Sequence, residues 1–322
     1  MVAVKEYEPI SNLICKLSQR KMQLDDRSFA EQWLRNVGYY RLSAYWYPYR
    51  ELISDDPPSR GDNFIPGTKF EAIAVLYEFD RKLRTLVHDG IERIEIGLRT
   101  QLNEYLGEVG GALAYQDPVH FRPHFDHIEW VRIAKRRVER AQKDNTAIRH
   151  HNDNYGGQIP IWVLSEVLDF SDVSKLYEGL FATAQYRIAE NFGINIDLTN
   201  LSNNQRRKAK KHHPLVRWFE HLTIIRNTSA HHSRLWNRSF TPVSTTALRT
   251  MDEFQSLPDT QSEQVYGALC VMNVLLRKLS PNTSWPAKVR ELIEGSFAEL
   301  ELRDPSEIGC PDGWQKNPIW NE

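Results

Sequence analysis

The chain has little cysteine. Its 322 residues contain only Cys15, Cys270 and Cys310, odd in number and widely spaced. That excludes a paired disulfide framework and the close spacing of a zinc site. It fits a reducing, cytoplasmic setting. No apolar run approaches the roughly 18–20 residues that a membrane-spanning helix requires. Met1 to Glu8 lacks the charged-then-apolar layout of a signal peptide, so no membrane partner is expected. His150-His151 and His212-His213 are metal ligands by residue type alone, with no acidic or histidine partner at a standard spacing. Neither a metal nor a cofactor is therefore expected. Net charge is also nearly absent, at −1, so the chain as a whole exerts no pull on nucleic acid. No internal repeat is apparent.

What is present is a soluble globular composition, 41% hydrophobic and 26% charged, with charge unevenly placed. Residues 201–240 hold nine bases and the single acid Glu220, whereas residues 241–322 hold twelve acids and seven bases. The bases of the first stretch are Arg206, Arg207, Lys208, Lys210, Lys211, Arg217, Arg226, Arg234 and Arg238. Such a concentration suits phosphate contacts, though basic runs are also ordinary solvated helix faces. A second basic run extends from Arg132 through Lys135, Arg136, Arg137, Arg140 and Lys143 to Arg149.

The pattern is helical throughout. Helices are predicted over Ser11–Arg20 and Ser28–Tyr47, followed by a turn-rich break over Ser54–Asn63. Leu76, Leu83, Val87, Ile91, Ile94, Leu98, Leu102 and Tyr105 keep helical spacing, predicting one helix over Phe70–Tyr105, about 50 Å long. A loop is predicted over Gly107–Pro118, then a basic helix, then a loop over Asn152–Gly157. Helices follow near Ile161–Leu168, Val173–Phe181 and Pro214–His231, with a mobile polar segment at Asn200–Gln205 and two C-terminal helices, Gln261–Leu279 and Pro286–Leu302. The aromatic block Tyr39, Tyr40, Tyr45, Trp46, Tyr47 and Tyr49 suits a core with polar tips better than a base-stacking platform. The expected division is an N-terminal helical segment over residues 1–65, a helical core over 66–240 and a C-terminal helical appendage over 241–322.

The stretch richest in chemistry is Arg226-Asn227-Thr228-Ser229-Ala230-His231, continuing His232-Ser233-Arg234-Leu235-Trp236-Asn237-Arg238. It ends an amphipathic helix on which Leu215, Phe219, Leu222 and Arg226 share one stripe. A guanidinium on such a stripe is costly unless it meets an anion or a carboxylate. An imidazole moves protons near neutral pH, and an arginine holds a phosphate whose charge rises in a transition state. Five residues place Arg226 and His231 about 140° apart on an ideal helix. They converge by the reach of the arginine, by fraying, or through a second subunit. Asn227 lies one turn from His231 and is placed to orient its imidazole. Two other Arg-to-His spacings, Arg122 to His127 and Arg207 to His212, read as an irregular connection and as part of a solvated run. A histidine at a helix end is also the ordinary partner of the helix dipole. Glu95 and Arg99 read as a surface pair, and Glu92 or Glu95 is a candidate support for Arg226.

These residues resemble the Arg-Asn-x-x-x-His signature of HEPN ribonucleases, and the wider chain resembles the bacterial Abi abortive-infection proteins of the AbiD and AbiF group. Three further blocks carry the resemblance. They are Asn36 to Arg50, with its Gly38-Tyr39-Tyr40-Arg41-Leu42 core; Tyr77 to Arg84 running on to Glu92–Ile96; and Pro160-Ile161-Trp162 to Phe170. The resemblance implies an all-α, HEPN-like helical bundle with N- and C-terminal extensions. It implies metal-independent endoribonuclease activity, with Arg226, Asn227 and His231 catalytic and a homodimer completing the site. Arg206, Arg207, Lys208, Lys210, Lys211, Arg217, His232, Arg234, Trp236, Asn237 and Arg238 are the candidate RNA contacts. An inhibitory RNA or a protein antitoxin is a further candidate partner. The alternative is a non-catalytic scaffold that binds RNA or a partner through its basic stretches.

Overall fold

The computed structural model describes residue 4 and residues 6–321; of the leading stretch read above for a signal layout, Met1, Val2, Ala3 and Lys5 lie outside the described residues. Among the described residues the fold is all-α apart from two small antiparallel sheets. In chain order the main elements are α1 (Ile10–Gln19), α2 (Arg27–Asn36), α3 (Tyr39–Trp46), β1 (Arg50–Asp55), β2 (Pro58–Phe64) and α4 (Phe70–Gly110). Then come α5 (His127–Ala141), α6 (Thr146–Asn154), α7 (Ile161–Leu164), α8 (Phe170–Gly179), α9 (Ala182–Asn191), α10 (Asn203–Lys211) and α11 (Leu215–Ala230). The two-residue strands β3 (Val243–Ser244) and β4 (Gln261–Ser262), α12 (Val265–Leu279) and α13 (Trp285–Ala298) follow. No helix among the described residues is long and apolar enough to cross a membrane.

The chain forms two compact units. The first comprises residues 1–83 and 289–307, and the second residues 84–288 and 308–322. In the first, Asp26 caps α2 by accepting from the Phe29 N–H. The aromatic block divides as its chemistry requires. Tyr45, Trp46 and Tyr49 are buried while Tyr40 is exposed, and the Tyr45 hydroxyl donates to buried Asp80 at 2.7 Å. The stretch Ser54–Asn63 is not merely a break. Its two arms pair as the β1–β2 hairpin, Asp55 opposite Pro58 and Arg50 opposite Phe64. Prolines and glycine there weakened the strand signal, since only the turn is marked by residue type.

The second unit holds the candidate site. The long helix predicted from residue 70 runs to Gly110, 41 residues or about 61 Å, so the following loop starts later than its glycines suggest. Glycines let α4 approach α12: a Cβ on Gly90 would lie 2.4 Å from the Met272 methyl and 3.1 Å from the Trp285 ring. α12 is no appendage, because Val265 through Leu276 are all buried and α12 packs against α11. α11 also packs on α8, with the Tyr177 and Phe219 rings edge to face at 5.2 Å. With neighbours on two sides, α11 buries ten of its sixteen residues. The segment ahead of it is ordered. Ser202 and Gln205 form a capping box that starts α10, and the Arg206 guanidinium donates to the carbonyls of Leu198, Thr199 and Leu201. α9 and α10 were not legible as helices, since neither carries a long apolar stripe.

Candidate functional site

α11 positions the motif, and its C-terminal end decides where each side chain goes. His231 caps the helix, His232 adopts φ +55°, and the His232 and Ser233 N–H groups return to the carbonyls of Ser229 and Thr228 at 2.9 and 3.0 Å. This is a Schellman closure with a histidine in the left-handed place usually held by glycine. It satisfies two carbonyls that would otherwise be stranded and leaves His231 and Asn227 exposed at the helix end.

Arg226, half-buried, faces a cleft of about 340 Å³ lined by His88, Glu92, Glu95, Ile96 and Arg99 of α4, and by Glu166. Helical spacing therefore brought Arg226, Glu92, Glu95 and Arg99 to one place, as α4 and α11 face each other there. His88 and Glu166 are additions that sequence reasoning missed. His88 lies one turn before Glu92 on α4, a signal that was available, whereas Glu166 arrives from a distant segment with none.

The pairing within the cleft differs from expectation. Glu95 and Arg99 form a largely buried ion pair, not a surface one, with side chains 12% and 15% exposed. The Arg99 guanidinium also donates to the Leu168 carbonyl at 2.9 Å. Burial pushes the Glu95 carboxyl above its ordinary value, and the Arg99 and Arg226 charges only partly offset this. Glu95 thus lies within the field of Arg226 but is held by Arg99. Arg226 enters no ion pair among the described residues; its Nη1 donates instead to Asn227 Oδ1 at 3.1 Å. Asn227 was expected to orient the imidazole. Its amide oxygen positions the arginine, and only its backbone carbonyl accepts from the His231 N–H, at 3.0 Å. His231 does not line the cleft that holds Arg226.

The candidate RNA contacts scatter. Trp236 is fully buried and has no face for a base; the Arg234 guanidinium lies 5.3 Å above its ring and donates to the Asn237 carbonyl. Arg206 is spent on the backbone turn described above. Arg238, exposed over the Phe240 ring, and His232 remain at the motif end of α11. Lys208 and Arg217 instead border a second cleft at the opposite end of α11, and Lys210 borders a third. Arg207 donates to Asn204, and Lys211 is exposed in the last turn of α10. Much of the other basic run is used internally. Arg137 pairs with Asp169 and Asp172 at 2.6 and 2.8 Å, Arg132 with Glu129, and Arg140 with Asp169.

A protein-family model described as Abi-like protein matches residues 32–237, which take in α4, α11 and the whole of Arg226 to Asn237. No curated protein and no solved structure matches the chain.

Proposed function

The chain belongs to the Abi-like family, and from that membership we propose that it acts in abortive infection against phage as a metal-independent endoribonuclease of the HEPN type. The observation that carries the reading is the state of the motif. Arg226 is aimed by Asn227 and enters no ion pair among the described residues, while His231 stands exposed at the same helix end. In the proposed reaction an imidazole takes the proton of a ribose 2′-hydroxyl. The 2′-oxygen attacks the adjacent phosphorus, and Arg226 stabilises the added negative charge. A second imidazole protonates the departing 5′-oxygen. The products are a 2′,3′-cyclic phosphate and a 5′-hydroxyl, and DNA, lacking the nucleophile, is spared. A second copy of the chain supplies the second imidazole. Ile96, 55% exposed beside Arg226 in the cleft, and Ile224, 36% exposed on α11, give that copy apolar contacts.

A second reading, a non-catalytic RNA- or partner-binding scaffold, draws on one observation: within a single chain His231 lies outside the cleft of Arg226. Incubation of the purified protein with mixed RNA in EDTA separates the two. The nuclease reading expects cutting that ends in cyclic phosphates and falls at least 100-fold, about 2.7 kcal/mol of transition-state stabilisation, in both Arg226→Ala and His231→Ala. Undiminished cutting by both variants, or a strict need for added metal, overturns it. The scaffold reading expects His231→Ala to keep RNA affinity and cellular effect.

A further inference from the structure

The segment that carries Glu166 into the Arg226 cleft leads on to α5. Two residues later the Leu168 carbonyl accepts from Arg99 of that cleft. The next residue, Asp169, adds its charge to the field of Arg226 and Arg99 on Glu95, and is itself held by Arg137 of α5 at 2.6 Å. Residues 166–169 thus connect the Arg226 cleft to a basic helix.

On α5 a cleft of about 320 Å³ is lined by Ile133, Arg136, Arg137 and Arg140, with Asp172 the acid of the lining. The carboxylates within reach are already committed. Glu129 is held through both oxygens by Arg132. Buried Asp172 accepts from the Arg137 Nε at 2.8 Å and from the Asp169 N–H at 3.0 Å. Arg137 is therefore structural, spent on Asp169 and Asp172 together.

Arg136 and Arg140 come second to each carboxylate. Arg136 stands 3.9 Å from Glu129, and Arg140 stands 3.5 Å from Asp169. Both distances exceed the roughly 2.7–2.9 Å of a charge-assisted hydrogen bond. Their side chains are 57% and 62% exposed, so these contacts contribute little and are readily exchanged. Exposed Lys135 and Glu139 on the same helix offset each other, and exposed Lys143 just beyond it adds a further positive charge. Arg136 and Arg140 lie one turn apart on one side of α5, about 6 Å along its axis. A nucleic-acid strand presents a regular run of anions on that scale, and each planar guanidinium fork matches two oxygens of one phosphate.

We propose that Arg136 and Arg140 grip the phosphates of substrate RNA on α5 while the adjoining stretch of the same strand enters the Arg226 cleft. The position of the scissile phosphate rests on the nuclease reading; the grip on α5 does not.

Fluorescence anisotropy tests it, with a labelled 2′-O-methyl oligoribonucleotide that cannot be cut by 2′-oxygen attack. The whole chain in EDTA is the titrant, at several salt concentrations. The double variant Arg136→Ala, Arg140→Ala is expected to bind at least tenfold more weakly. Its plot of log affinity against log salt should be shallower by about 1.4, the loss of two single-strand phosphate contacts. The double lysine variant keeps both charges and should keep the parent's slope. Arg187→Ala removes an arginine of α9 that is similarly exposed, at 52%, and should bind as the parent does. The proposal is overturned if the parent does not bind the probe, if the double alanine variant keeps the parent's affinity and slope, or if Arg187→Ala weakens binding as much. A face that serves an acidic protein instead of RNA gives the second of these results. Unmodified RNA left uncut, with the effect on α5 intact, removes the nuclease reading and leaves this proposal standing. Metal-free cutting that depends on Arg226 and His231, with α5 indifferent, does the reverse.

Discussion

At Arg226 the guanidinium donates to Asn227 Oδ1 and forms no ion pair among the described residues, Glu95 being held by Arg99. In the proposed nuclease that guanidinium faces the phosphate, and its direction is set by the Asn227 amide oxygen. Asn227→Ala is therefore expected to lower RNA cleavage ten- to a hundredfold, roughly 1.4–2.7 kcal/mol, chiefly through kcat. Single-turnover rates at saturating RNA check this, and an unchanged rate removes Asn227 from the site. Two buried histidines make a second residue-scale expectation. Burial holds His213 down to about 3 and His221 down to about 4. Between the ordinary value near 6.5 and those values, the unfolded chain takes up protons that the folded chain refuses. The stability they contribute is thus full above pH 6.5 and is lost as pH falls. From pH 6.5 to 5, above most carboxylate titration, the loss is about 2 kcal/mol per group. His221 lies between the Trp218 and Phe240 rings at 5.6 and 5.8 Å, so a phenylalanine fits there. Melting curves across that window should flatten in His221→Phe, and a flat parent curve would contradict the assignment.

At the scale of elements, α11 joins the two clefts and is fixed along most of its length by α8 and α12. Its Schellman closure turns the chain sharply after His231, which keeps that imidazole out of the core. The closure needs His232 at φ +55°, a conformation that a β-branched residue resists. His232→Val is expected to lower unfolding free energy by about 1–2 kcal/mol, whereas His232→Gly relieves the backbone. Urea unfolding of the two variants checks the contrast, and equal stabilities would contradict it. The same scale explains why Lys208 and Arg217 parted from the motif. In sequence they belong to one basic stretch with Arg226 and Arg238. α11 is a rigid spacer, so the residues at or before its first turn and those at or after its last turn end at opposite poles.

For the molecule as a whole, a site that needs two imidazoles cannot be complete in a chain with one such motif. Cleavage per chain is therefore expected to fall when the protein is diluted below its dimer dissociation constant. A rate strictly proportional to concentration across a thousandfold range, measured beside sedimentation, would contradict a composite site. The all-α class was legible in the sequence, because the helical apolar repeats of α4, α11 and α12 extend well beyond the range of a chance pattern. Helical spacing also made Glu92 or Glu95 a candidate neighbour of Arg226, and both line its cleft, but Glu95 is held by Arg99. The hairpin, α9 and α10 were not legible: short elements draw their stability from neighbours, which a local pattern does not record. Residue types and helical periodicity alone determined the fold class, the motif and the cation on its apolar stripe. Only the tertiary structure decided which carboxylate is spent on which arginine, that Trp236 is buried, and that Lys208 and the motif lie by opposite ends of α11. These depend on distances between segments far apart in the chain, and packing, not sequence order, sets those distances.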